Sequence, residues 1–179
     1  TCTPQGVLCV LKQFHYNIEE MLRDKAPLFL LLENIQDPGN LGTMLRTGEG
    51  AGVSGIIMSR DTVDLYNPKV IRSTMGSIYR VPFYYADDFA AAVHQVQRAG
   101  VSVYAAHLRG KNSYACQDYT KGTAFLIGNE GNGLREETAE LADCYIRIPM
   151  EGKVESLNAA VASSILMYEA HRQRATIEK

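Results

Sequence analysis

The sequence predicts an α/β protein with a mostly parallel sheet flanked by helices, and three observations predict it. Short apolar runs alternate with longer helical segments along the whole chain, the order expected of parallel strands joined by crossover helices. Leu28-Phe29-Leu30-Leu31-Leu32 and Thr123–Ile127 are continuous apolar runs, as strands covered on both faces require. Three strand candidates end in polar junctions that lead into helical segments, at Glu33–Thr47, Gly128–Leu134 and Pro149–Asn158. At such junctions side chains and free backbone N–H groups can meet a ligand.

Taken in order, Thr3-Pro4-Gln5-Gly6 reads as a turn or linker exit, followed by a strand at Val7–Leu11. Asn17 with Glu20 three residues on caps a short helix to Leu22, and Pro27 precedes the Leu28–Leu32 strand. Asp37-Pro38-Gly39 makes a tight turn, and Asn40 is read as the cap of a helix to about Ala51. That places Arg46 about two turns into the helix. A strand at Ile56–Met58 is followed by a helix from Pro68. The helix carries Lys69 and Arg72, with Arg80 beyond; these form either a solvated face or a track for a nucleic-acid backbone. Val81–Tyr84 is a strand, Asp87 and Asp88 cap a helix to Ala99, and Val101–Ala106 is a strand. Lys111–Lys121 is a polar loop whose two tyrosines either pack on the surface or stack on bases. Arg135–Ala142 reads as a helix, Cys144–Ile148 as a strand, and Asn158–Arg174 as a helix with apolar spacing at Ala162, Ile165 and Leu166.

At 179 residues the chain suits one domain, and 46% hydrophobic with 21% charged residues excludes a disordered one. A formal charge of −2 gives no global field for a polyanion but leaves room for a local basic stripe. Cys2, Cys9, Cys116 and Cys144 contain no CxxC pair and no metal-like grouping with the histidines, so free thiols in a reducing compartment are expected, and no metal. No apolar run reaches transmembrane length and no signal peptide is recognisable, so no membrane partner and a cytoplasmic location are expected. The start at Thr1 without a methionine marks the chain as a possible fragment.

The second junction, Gly128-Asn129-Glu130-Gly131-Asn132-Gly133, has the spacing GxxGxG. That is neither the dinucleotide fingerprint nor a P-loop, which needs a lysine. A carboxylate at Glu130 repels a pyrophosphate and suits a cationic or zwitterionic ligand. Considered singly, Asn40 and Asn158 serve equally well as helix caps, Arg46 and Glu130 as solvated charges, and Ser156 as loop filler.

Together the junctions resemble the three motifs of the SpoU/TrmH methyltransferases of the SPOUT superfamily. The resemblance rests on Asn34–Gly42 with Arg46-Thr47, then Ile127–Gly133, then Ile148-Pro149-Met150 through Glu155-Ser156-Leu157-Asn158. It spans nearly everything from about Gly6 onward. It implies a Rossmann-like α/β fold whose C-terminal segment forms a deep trefoil knot, an exception to unknotted topology. It implies S-adenosylmethionine as methyl donor, held by Leu126, Ile127, Gly128, Asn129, Gly131, Ile148, Met150, Ser156 and Leu157. It implies methylation of an RNA ribose 2′-hydroxyl, with Asn40, Arg46, Glu130, Ser156 and Asn158 as catalytic residues. A homodimer follows too, its site near the interface, so that motif-one residues act on the partner subunit's donor.

The family's proposal of the motif-one arginine as general base sits badly with a guanidinium, which stays protonated in proteins. A phosphate clamp that also stabilises developing charge is the easier role for Arg46. Glu130 or a water is then left to take the proton. The expected division is a linker remnant at 1–6, from an RNA-binding domain preceding it, and a catalytic domain at 7–179. That architecture favours ribosomal RNA as substrate, with transfer RNA and a catalytically inactive RNA-binding module as the alternatives.

Overall fold

The computed structural model describes residue 6 and residues 10–177, the side chain of residue 177 aside. Among the described residues seven strands form one sheet: β1 (Leu28–Leu32), β2 (Gly55–Ser59), β3 (Phe83–Ala86), β4 (Ser102–Ala106), β5 (Asn112–Ser113), β6 (Thr123–Ile127) and β7 (Cys144–Arg147). Their spatial order is β3-β2-β1-β6-β4-β7-β5, and every pairing is parallel. The helices are α1 (Ile18–Met21), α2 (Pro38–Ala51), α3 (Pro68–Thr74), α4 (Phe89–Arg98), α5 (Glu136–Ala139) and α6 (Ala159–Ile177).

The central strands β1 and β6 lie side by side, Leu28 opposite Thr123 through Leu32 opposite Ile127, and all ten of these residues are buried. Their alternate side chains feed two apolar layers. Leu28, Leu30, Leu32, Phe125 and Ile127 meet Leu41, Met44 and Leu45 of α2 and Leu166, Met167 and Ala170 of α6. Phe29, Leu31, Ala124 and Leu126 meet Ile18 and Met21 of α1, Val93 and Val96 of α4, and Ala139 of α5. This is the α/β sandwich that the unbroken apolar runs predict.

The expected elements move in informative ways. Val7–Cys9 lie outside the described residues, and Val10 and Leu11 are exposed and unpaired in the sheet. The third strand begins at Phe83 rather than Val81, because Pro82 has no N–H to donate; its carbonyl instead accepts from Ile56 N at 3.0 Å. The helix expected over Arg135–Ala142 contracts to Glu136–Ala139. The polar loop contains β5 and a 3-10 turn at Tyr114–Cys116. Tyr119 is not a surface residue: it is fully buried, edge-on to Tyr104 and Phe125, and its hydroxyl donates to Tyr114 O at 2.7 Å. Arg80 is not free for a nucleic-acid track either, since it pairs with Glu49, which also accepts from Ser77 Oγ at 2.6 Å.

Two crossings fix the site's frame. A Cβ at Gly42 would lie 1.8 Å from Ser73 Oγ, so α2 and α3 approach closely only because position 42 is glycine. Ser73 Oγ also donates to Pro38 O at 3.0 Å and ties α3 to the start of α2. At the far end of α6, Arg174 donates to the carbonyls of Tyr119, Ala26, Pro27 and Lys121.

Candidate active site

The motif-one loop leaves β1 through Asn34, which adopts a left-handed φ of 53°. Helix α2 then starts one turn earlier than the sequence suggests. Asp37 is its cap, accepting from Asn40 N at 2.7 Å, and Pro38 occupies the first turn. Asn40 is therefore not the cap, and its amide is released for other work. Its Nδ2 donates to Glu130 Oε1 at 3.0 Å, and its Oδ1 accepts from Asn158 Nδ2 at 3.0 Å. Asn158 also caps α6, its Oδ1 accepting from Ala160 N at 2.9 Å and Val161 N at 3.2 Å. One relay, Asn158 to Asn40 to Glu130, thus joins the three junctions.

Glu130 closes the relay. Besides Asn40, its carboxylate accepts from Asp37 N at 3.0 Å, Gln36 N at 3.2 Å and Asn129 Nδ2 at 3.5 Å. Burial alone raises its pKa; the Asn40 amide and the N–H groups of Asp37, Glu130 itself and Gln36 outweigh that and hold the carboxyl below the usual glutamate range. A second carboxylate makes the reciprocal tie. Glu33, at the end of β1 and 2% exposed, accepts from Arg135 N at 2.8 Å and Thr138 Oγ1 at 2.5 Å. Each of the two loops is held by a glutamate from the other.

The glycine loop folds tightly on itself. Asn129 and Gly133 exchange backbone bonds at 3.0 and 2.9 Å, Asn129 Oδ1 accepts from Gly131 N and Asn132 N, and Gly133 has φ 69°. A Cβ at Gly128 would lie 2.2 Å from Gly133 C, so that glycine is required by the loop's own backbone rather than by a ligand.

Beside this loop opens a cleft of about 320 Å³, within the range of small-molecule sites. Of the residues expected around a donor, Ile127, Gly128, Asn129, Gly131, Ile148, Met150, Ser156 and Leu157 line it, as does Glu130. Leu126 does not; its side chain is buried in the opposite apolar layer. Of the five catalytic candidates, Glu130 and Ser156 line the cleft and Asn40 and Asn158 bond into its edge. Arg46 lies outside it, exposed on α2, with no salt bridge among the described residues.

Sequence reasoning missed one wall. In the sheet β4 lies between β6 and β7, so the end of β4 brings Ala106, His107 and Leu108 into the cleft between the second and third junctions. The signal for it is the expected strand Val101–Ala106, whose carboxyl end is a further strand-to-loop junction.

The SpoU rRNA Methylase family matches residues 27–168, which contain all three junctions. The chain belongs to this family. A 23S rRNA (guanosine(2553)-2′-O)-methyltransferase of Bacillus subtilis, RlmP, is 36% identical over 168 residues, covering 94% of the chain and 65% of that protein. Among SpoU methyltransferases of known structure, AviRb from Streptomyces viridochromogenes superposes with a TM-score of 0.84 at 30% identity, covering 89% of this chain and 64% of that one. An AdoMet-bound rRNA methyltransferase from Sinorhizobium meliloti superposes with a TM-score of 0.81 at 38% identity, covering 90% and 62%. The chain spans a little under two thirds of the length of these relatives.

Proposed function

We propose that the protein is an S-adenosylmethionine-dependent RNA ribose 2′-O-methyltransferase acting on ribosomal RNA. The observation that carries this reading is the hydrogen-bonded relay of Asn158, Asn40 and Glu130, which gathers all three family junctions at the edge of one cleft. The RNA substrate is supported by relatives named as 23S rRNA ribose methyltransferases.

The cleft fits the donor. Ile127, Leu134, Ile146 and Ile148 offer an apolar wall for a nucleoside, while Glu130 and Glu155 supply negative charge suited to a cationic ligand. When bound, S-adenosylmethionine supplies a methyl group activated by its sulfonium. Ile127, Gly128, Asn129, Gly131, Ile148, Met150, Ser156 and Leu157 would hold it. The chain's own task is to fix the ribose and dispose of its proton. Glu130 is poorly suited to accept that proton, because its carboxylate already accepts from the N–H groups of Gln36, Asp37 and Asn40 and its basicity is lowered. Its role is to shape the motif-one loop, and water takes the proton. Arg46 serves as the phosphate clamp. Because it lies outside its own chain's cleft, it acts at the partner subunit's cleft in a homodimer.

The rest of this reading comprises the C-terminal trefoil knot, residues 7–179 as catalytic domain with 1–6 as linker remnant, and a cytoplasmic location. Incubation with RNA and methyl-labelled donor, followed by digestion to nucleosides, should yield 2′-O-methylnucleosides from ribosomal RNA. A base-methylated nucleoside would overturn the ribose assignment, and label in transfer RNA alone would overturn the substrate. Arg46→Lys should lower single-turnover transfer about 100-fold, or roughly 2.7 kcal/mol, with donor affinity unchanged. Near-normal transfer would remove the need for a fork of donors.

A further inference from the structure

His107 stands in the cleft but belongs to none of the three junctions. Its backbone and ring are both fixed. His107 N donates to Ile146 O at 3.1 Å, and Gly110 N returns to His107 O at 2.9 Å, closing a tight turn after β4. A Cβ at Gly110 would sit 2.7 Å from Ile146 C, so the turn lies hard against β7. The imidazole leans on the Tyr145 ring, centroids 5.1 Å apart and planes 33° apart. Its Nδ1 is 3.1 Å from the N–H of Arg109. A backbone N–H can only donate, so Nδ1 must be the acceptor and the ring proton must reside on Nε2. Among the described residues Nε2 has no partner.

We infer that His107 is a donor-recognition residue, whose Nε2–H hydrogen-bonds an acceptor atom in the adenosine portion of the methyl donor. The inference rests on the donor reading above. The adenosine portion is chosen because the cleft's carboxylates, Glu130 and Glu155, draw the cationic portion to themselves, whereas His107 adjoins the apolar residues Ala106, Leu108 and Ile146.

The same geometry makes recognition sensitive to acid. Protonation places a hydrogen on Nδ1 against the Arg109 N–H, which breaks that hydrogen bond, and adds positive charge beside a cationic ligand. Burial lowers the pKa of His107, the Arg109 charge lowers it further, and Glu136 opposes them. Arg109 and Glu136 are paired with each other at 2.5 Å. Tyr145 lies under the ring and Arg147 shares its wall of the cleft; Glu130 and Glu155 are the cleft's other charged groups. Neutral His107 therefore prevails at neutral pH. Donor affinity is flat above its pKa and falls as the pH drops below it, in a window beneath the ordinary histidine value of about 6.5.

The test is calorimetric titration of S-adenosylmethionine into the parent, His107→Phe and His107→Gln between neutral pH and pH 5. Phe keeps the contact with Tyr145 and removes the donor; Gln can present an amide N–H near the position of Nε2. His107→Phe should weaken binding about tenfold at neutral pH, the scale of one lost hydrogen bond, while His107→Gln stays within about threefold. The parent's acid-side loss should vanish in His107→Gln, and the ligand's own titration cancels in that comparison. Nitrogen-15 histidine spectra of the free protein should show Nε2 protonated. Parent-like binding by His107→Phe, an acid-side loss retained in His107→Gln, or a proton on Nδ1 would each overturn the inference. Absence of binding to the parent would overturn the donor reading beneath it.

Discussion

At the amino end of β1 and β6 a guanidinium gathers carbonyls, whereas at the carboxyl end of the same strands two carboxylates gather N–H and O–H groups. Arg174 donates to Ala26 O at 2.7 Å, Lys121 O at 2.8 Å, Tyr119 O at 2.9 Å and Pro27 O at 3.3 Å, reaching the segments just before both strands. Glu33 and Glu130 instead hold the segments just after them. The amino-end clamp joins the last helix to the sheet and, among the described residues, bonds to none that lines the cleft. The carboxyl-end pair splits its work: buried Glu33 latches the segment after the glycine loop, and exposed Glu130 shapes the loop that bears Asn40. The amino end thus anchors the last helix, and the carboxyl end holds the loops around the cleft.

That division is broken most directly from the anchoring end. Arg174→Ala should cost about 3 kcal/mol of folding stability, since several charge-assisted bonds are lost together. For a chain of this size that lowers the melting temperature by roughly 6–12 °C. Donor affinity below the transition should match the parent, and a tenfold loss of affinity would show that the two ends are not separable. Glu33→Gln is the next largest. The neutral amide must turn one N–H toward Arg135 N or Thr138 Oγ1, and the expected cost is about 2 kcal/mol by urea unfolding. A cost as small as a surface substitution would deny Glu33 its latch.

The same contrast explains what could be read from residues alone. The sheet was legible because Leu28–Leu32 and Ala124–Ile127 are short unbroken apolar runs bounded by turn signals, as a strand covered on both faces requires. The three junctions were legible because each keeps its signature within a dozen or so consecutive residues. Asn40 was misplaced as a cap because Asp37 and Asn40 are both good caps three residues apart, and only the N–H that Asp37 captures decides between them. His107 was invisible as a cleft residue because its place depends on β4 lying between β6 and β7, a strand order that local pattern does not encode. Tyr119 reads as a surface residue from its polar neighbours, yet its ring packs edge-on against Tyr104 and Phe125, and Gln173 and Arg174, more than fifty residues away, bond its backbone.

The smallest effect separates the two ends by pH. Arg174 stays charged across the acid range, so the cost of Arg174→Ala should not change between pH 7 and pH 4. Glu130 behaves otherwise. Its folded-state pKa lies below the ordinary value, so its ionisation stabilises the fold. The sign follows from proton binding: below the unfolded-state value of about 4.3, the unfolded chain holds more protons at this site. Its contribution is full above that value and disappears as the pH falls through the lower folded value. Glu49, Asp61, Asp118, Glu136 and Glu169 are lowered as well, so the parent's acid unfolding alone does not isolate Glu130. The difference between parent and Glu130→Gln does. Measured by urea unfolding, it should be at most about 1 kcal/mol near pH 7 for so exposed a group, and should shrink as the pH falls toward 3. A difference that stays constant with pH would mean that shape rather than charge makes Glu130 hold the Asn40 loop.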